Sequence, residues 1–476
     1  MGCDKKHVFI AGVVIGALLL ILGGILIPVG DKIIQDTITK DGVIEEGTLA
    51  YENWIQTGST VYRQFWLFNV LNPMDIIDSG AKPQLEQRGP YTYRVRYLRK
   101  NNITVNDNYT ISYLQPQSAI FEPTMSVGSE EDSITALNLA AASAPSLYPP
   151  ILHGIVNGII KKAGASLFQN RTVKEILWGY EDPILVAASS EDIITGVFYP
   201  YNGTADGFYN VFNGKDDIDK VALIDRWRNE KNLPFWNDTY CDMINGTDGS
   251  SFPPFIDKTD LYFFSSDICR SIFAKYEGTQ KLKGIPVQRF AVPPEALASP
   301  RENPDNHCFC KEDIVSQNCT LGGFLDISAC HDGKPVYISL PHFLYASPEI
   351  QKSMQGLNPK KAIHETFMDV EPTTGFTLRV AKRLQINIMF KPSTKIKILS
   401  NIKEPLIFPV LWLNETATVD DETAQLFRDS LLVPVTALGI VQLTLICSGS
   451  LLVLVCAVGL CVTSEDERKG KPLHLM

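Results

Sequence analysis

The chain has 476 residues, a formal net charge of −10 and a charged fraction of 20%, with a mean hydropathy of +0.01. An acidic chain with so few charges is neither a basic nucleic-acid binder nor a disordered polyelectrolyte. The apolar excess sits at the two ends, and the roughly 400 residues between them read as an ordinary folded chain.

Residues 1–7, expected on the cytoplasmic side, place Lys5 and Lys6 ahead of the first apolar run. That run, VFIAGVVIGALLLILGGILIPV (8–29), is 22 residues without a charge. As a helix it is about 33 Å long, enough to cross a bilayer core of about 30 Å. It exceeds a signal-peptide core and no A-x-A-like cleavage site follows, so it predicts an uncleaved signal-anchor.

No repeat or Gly/Ser-rich linker divides residues 30–436, which read as one large domain. Strand patterns occur at VYRQFWLF (61–68), YTYRVRYL (91–98), LYFFSS (261–266), PVYISL (335–340) and LQINIMF (384–390). Residues 133–180 read instead as helices. SITALNLAAAS has Ser133 as its N-cap, and ILHGIVNGIIKK places Ile151, Leu152, Ile155, Val156, Ile159 and Ile160 on one face. TVKEILWGY opens with a Thr172–Glu175 capping box. Lys161 and Lys162 close the second helix, where cations suit the helix dipole and where a lysine beside apolar surface could take a fatty-acid carboxylate. A helix over about Glu422 to Ser430 leads into the second apolar run, Leu431 to Val462. Its membrane span is expected within 437–461, with Gln442 as the one strongly polar side chain, and residues 462–476 form a cytoplasmic tail.

The basic residues around the spans favour both termini in the cytoplasm. Eight N-x-[ST] sequons between the spans, at Asn102, Asn108, Asn170, Asn202, Asn237, Asn245, Asn318 and Asn414, point to a glycosylated lumenal or extracellular domain. Six of the ten cysteines, Cys241, Cys269, Cys308, Cys310, Cys319 and Cys330, lie in that domain over 241–330. An even count in an oxidising compartment reads as disulfides rather than a metal site, although His307 and His331 adjoin them, and 15 pairings are open. Cys3 and Cys461 flank the spans and are candidates for palmitoylation.

G-x-S-x-G, H-E-x-x-H, G-x-x-x-x-G-K-[ST] and G-x-G-x-x-G do not occur, and Asp216, Asp217 and Asp219 lack the rest of a calcium loop. Nothing in the chain argues for an enzyme, a cofactor or a metal, and binding is left as the activity to explain.

The motifs VYRQFWLFNVLNP (61–73), RGPYTYRVR (88–96), FYPYNGTADGFYNVFNGKDD (198–217), CDMINGTDGSSFPPF (241–255), FFSSDICRSI (263–272), ENPDNHCFC (302–310) and PVYISLPHFLYASP (335–348) are long and specific. Through them the chain resembles the class B scavenger receptors over essentially its whole length. The resemblance implies an α+β, two-span membrane protein. Its large β-barrel-like ectodomain would carry an apical helical bundle and an internal hydrophobic tunnel. It also implies binding of long-chain fatty acids, oxidised phospholipids and modified lipoproteins, with fatty-acid uptake and signalling through cytoplasmic kinases and partner receptors. The alternative is an adhesion receptor for thrombospondin-type ligands without lipid transfer.

In the family a fatty-acid-binding lysine precedes an F-Q-x-R-T stretch. Here that stretch is Phe168 to Thr172, so the role carries over to Lys162, with Lys161, Arg171 and Lys174 around it and Gly164 where a relative has a second lysine. The implied disulfides are Cys241–Cys308, Cys269–Cys330 and Cys310–Cys319. The segment RKNNITVNDNYT (99–110) has one acid, Asp107, where the thrombospondin-binding segment of a relative is acid-rich. In the tail Leu473 is followed by His474, which departs from the dileucine signal of the lysosomal member and points to the plasma membrane.

Overall fold

The computed structural model describes residues 5–56, 59–200, 203–311 and 314–469. Cys3 and Asn202, the expected acylation and glycosylation sites, and tail residues 470–476 lie outside them. The chain divides into two compact units, one holding the two terminal apolar helices with residues 283–285, the other holding residues 42–282 and 286–419.

The larger unit is built on a mixed-length antiparallel sheet. Its four central strands are β1 (Val61–Val70), β2 (Leu85–Tyr97), β3 (Thr377–Phe390) and β4 (Leu406–Thr418), in the spatial order β3–β4–β1–β2. Gln117–Phe121 extends the sheet beyond β2, and Phe367–Val370 begins its extension beyond β3. The strand Val336–Ser339 also pairs with β3. β1 forms because its residues alternate: Val61, Arg63, Phe65 and Leu67 are buried while Tyr62, Gln64 and Trp66 are half-buried. The register lines up rows of side chains across the four strands. Val95, Val61, Ala417 and Val380 make one row; Tyr93, Arg63, Glu415 and Lys382 the next; Tyr91, Phe65, Leu413 and Leu384 the third. A row with three charges therefore lies between two apolar rows, and a one-residue slip would move all of it to the other face.

Residues 133–180 differ from the expected run of helices. Ser133 does not cap a helix but opens the strand Ser133–Leu137, paired with Phe168–Thr172. S-I-T-A-L alternates and buries Ile134 and Ala136, and the side chain placed to cap the alanine run is Asn138, which accepts from Ala141 N–H. The helices are Leu139–Leu147, His153–Lys162 and Val173–Trp178, the last opened by a reciprocal Thr172–Glu175 capping box.

In the other unit the first apolar helix runs Lys5–Gly42, well past Val29, and the last runs Val433–Lys469 after a π turn at Arg428–Leu432. Both are long and apolar enough to cross a membrane. Gly16, Gly23 and Gly30, seven residues apart, are buried on the first helix. A Cβ added to Gly449 would lie 2.7 Å from the Gly16 carbonyl. Gln442 Nε2 donates to the Leu26 carbonyl at 2.8 Å, so the one strongly polar side chain of the second span ties it to the first.

Candidate ligand-binding site

The helix His153–Lys162 carries the lysine pair. Its expected single apolar face is split in two. His153, Val156 and Ile160 are buried, whereas Ile151 and Ile155 are 79% and 64% exposed and Leu152 is also open. The alanines of the preceding helix accept only one side of this short helix, and residues 151 and 152 precede its first turn. Lys162 lies two turns beyond Ile155 on the same exposed side. Among the described residues, the side chains of Lys161 and Lys162 make no hydrogen bond or ion pair.

Arg171 and Lys174 are held differently. Arg171 lies 3.9 Å over the Tyr180 ring and 3.5 Å from Glu175, and Lys174 reaches Glu130 at 3.5 Å and Glu131 at 3.8 Å. Two other lysines, on the loop 391–397, meet the same helix region. Asn157 Oδ1 accepts from Lys397 N–H at 2.9 Å, one turn before Lys161, and Lys395 Nζ donates to the Pro150 carbonyl. His153 Nδ1 meets Ser393 Oγ at 2.8 Å and fixes the same loop. The sequence signal was present in the run KPSTKIK (391–397), but nothing in it indicates proximity to residue 157.

The charged row on the sheet is the second element of the site. Arg63 Nε donates to Glu415 Oε2 at 2.6 Å, Tyr97 O–H donates to Glu415 Oε1 at 2.9 Å, and Lys382 pairs with Asp267. Burial pushes the Glu415 carboxyl up, but the Arg63 and Lys382 charges outweigh it and hold the group below its ordinary value. Lys382 holds the Asp267 carboxyl down. The side chains of the Lys382–Asp267 pair keep 28% and 52% of their accessible surface. Leu384, Ile386 and Val336, on the same stretch of sheet, are only partly buried and touch both main apolar clusters.

The lobe also holds disulfides Cys241–Cys308, Cys269–Cys330 and Cys310–Cys319, with Cα separations of 6.2, 6.5 and 5.9 Å. His331 and His307 approach two of them, but a cysteine in a disulfide offers no thiolate to a metal. Of the sequon asparagines in the described residues, Asn102, Asn108, Asn170, Asn237, Asn245 and Asn318 are exposed. Asn414 lies half-buried in β4, donating to Gln64 and accepting from Arg383.

A disulfide-bonded lobe of mixed α and β structure, carried with two terminal apolar helices, defines a two-span membrane protein of the class B scavenger-receptor kind. The model of the CD36 family matches residues 14–460. Lysosome membrane protein 2 of Rattus norvegicus and of Homo sapiens are each 38% identical over 401 residues, covering 83% of this chain and 82% of theirs. Scavenger receptor class B member 1 of Sus scrofa is 33% identical over 452 residues, covering 93% of this chain and 87% of its own. The chain belongs to the CD36 family.

Proposed function

We propose that the protein is a plasma-membrane receptor for long-chain fatty acids, oxidised phospholipids and modified lipoproteins, and that it assists fatty-acid uptake. The observation that carries this reading is the meeting of Lys161 and Lys162, unpaired among the described residues, with the exposed Ile155 of the helix His153–Lys162 and the exposed Ile151 just before it. A carboxylate pairs with Lys162 while acyl methylenes cover Ile155 and Ile151, each CH₂ contributing about 0.8 kcal/mol on leaving water. Lys161 and Lys397 add a positive field that attracts anionic lipid and lipoprotein surfaces and weakens with salt. Arg171 and Lys174, with acids beside them, contribute to that field more than to contact. The partly buried Leu384, Ile386 and Val336, which touch both main apolar clusters, support an internal apolar passage for the chain. The related scavenger receptor class B member 1 supports the receptor role, and Leu473 followed by His474 in the tail supports a surface location over a lysosomal one.

An exposed ion pair contributes at most about 1 kcal/mol, so Lys162→Ala is expected to cut labelling by a carboxylate-reactive fatty-acid analogue about three- to fivefold. Lys162→Glu should cut it further. Unchanged labelling and uptake in both variants would remove Lys162 from the site. Mass spectrometry of lipid co-purifying with the protein separates this reading from adhesion to thrombospondin-type ligands, and surface biotinylation tests the location.

A further inference from the structure

We infer that the lobe carries a site for a sulfated glycan, built by arginines of the segment RVRYLRK (94–100) at the end of β2. Strand alternation puts Arg94 and Arg96 on one face of β2, about 7 Å apart. They lie opposite Ile120 and Ser118 of the neighbouring strand Gln117–Phe121, while Tyr93 and Val95, on the other face, are buried. The strand ends at Tyr97, and Arg99 follows two residues later. The four cations of the segment are not equivalent. Arg94 Nε lies 2.9 Å from Glu122 Oε1, which balances its charge. Lys100 is buried, and its Nζ donates to the Trp54 carbonyl at 2.6 Å. Arg96 and Arg99 are exposed, and among the described residues their side chains make no hydrogen bond or ion pair.

A cleft of about 400 Å³ is bordered by Arg94, Arg96 and Arg99 together with Gln56, Ser59 and Thr60 from the segment that leads into β1. That volume is of small-molecule size. Among the described residues no Asp or Glu borders the cleft, so the charge facing it is wholly positive. Guanidinium groups suit sulfate because their planar donors reach two of its oxygens at once, and four basic residues in seven is the density of a polyanion-binding surface. The neutral side of the cleft favours a sugar as the carrier. Gln56 offers a carboxamide and Ser59 and Thr60 offer hydroxyls, groups that exchange hydrogen bonds with a hydroxyl-rich ring. An acyl chain would meet Leu98 as the one exposed aliphatic side chain of the lining among the described residues. A sulfated glycan carries several sulfates in succession, so Arg96 and Arg99 each receive one. The cleft shares no residue with the helix His153–Lys162.

The test uses the full chain in phosphatidylcholine nanodiscs and measures its binding to a heparin tetrasaccharide, to the desulfated tetrasaccharide and to phosphatidylserine vesicles. The sulfated sugar is expected to bind and the desulfated one is not. An exposed ion pair is worth up to about fivefold in affinity, so Arg96→Gln and Arg99→Gln should each weaken binding about fivefold and the double variant about twentyfold. The double variant should also depend less steeply on salt. Both arginines are exposed, so Tm should be unchanged. Labelling by the fatty-acid analogue should be unchanged as well, which keeps this site and the Lys162 site separately testable. Equal binding of the sulfated and desulfated sugars would overturn the inference, as would wild-type affinity in the double variant. Binding of phosphatidylserine vesicles in place of the tetrasaccharide, lost in the double variant, would assign the arginines to a membrane surface and overturn it too.

Discussion

Arg63 and Lys162 are both cations, but opposite consequences follow from removing their charge balance. Arg63 is buried and depends on Glu415. Glu415→Gln removes the buried carboxylate on which the Arg63 and Lys382 charges act and should cost about 3–5 kcal/mol, read from a urea midpoint. Lys162 is exposed and unpaired among the described residues, so Lys162→Ala should leave the same midpoint unchanged to within about 0.5 kcal/mol. A loss of lipid labelling in that variant would then report on binding and not on folding. Lys162 could be found in the sequence because it adjoins Phe168 to Thr172. The pairing of Lys174 could not, because Glu130 and Glu131 meet it only across the paired strands Ser133–Leu137 and Phe168–Thr172.

Individual elements follow their local signals where those signals are self-contained. The Thr172–Glu175 capping box forms as its spacing dictates, with both reciprocal hydrogen bonds present. Thr172→Ala should cost about 1 kcal/mol in chemical denaturation, with Thr172→Asp restoring most of it. The segment from Ser133 misled because its opening residues include the β-branched Ile134 and Thr135, which suit a strand, while the alanine-rich helix begins only at Leu139. The terminal helices depend on each other in a way that hydropathy does not reveal. Gly449→Leu would collide with the Gly16 carbonyl and should lower Tm in detergent by several degrees. Gln442→Leu should cost about 1 kcal/mol through the lost bond to Leu26.

For the molecule as a whole, pH is the informative variable. His342 and His364 are buried and stacked with ring centres 4.6 Å apart. Their Nδ1 atoms accept from Asn358 N–H and Lys360 N–H, and His342 Nε2 meets Gln87 Oε1 at 2.6 Å. Burial pushes both rings down to about 4, with each other's charge or the nearby Arg383 and Lys360 adding to the effect. Unfolded imidazoles protonate near 6.5. Between pH 6.5 and 4 the unfolded chain therefore binds protons that the folded one refuses. Stability is complete above 6.5 and falls with pH, by about 2 kcal/mol per ring at pH 5. His364→Asn keeps an acceptor for Lys360 N–H and should flatten the fall in urea midpoint between pH 7 and 5. An unchanged slope would place the acid sensitivity elsewhere.

The sequence by itself determined the two spans, the sequon-bearing domain between them, the main strands and the family, because length, hydropathy, alternation and motif are properties of neighbouring residues. Tertiary structure decided which cations are free and which are neutralised. It set Lys397 beside Asn157 and aligned Arg63, Glu415 and Lys382 in one row. Those pairings join residues up to about 350 positions apart, and only strand register and the packing of loops on helices bring such residues together.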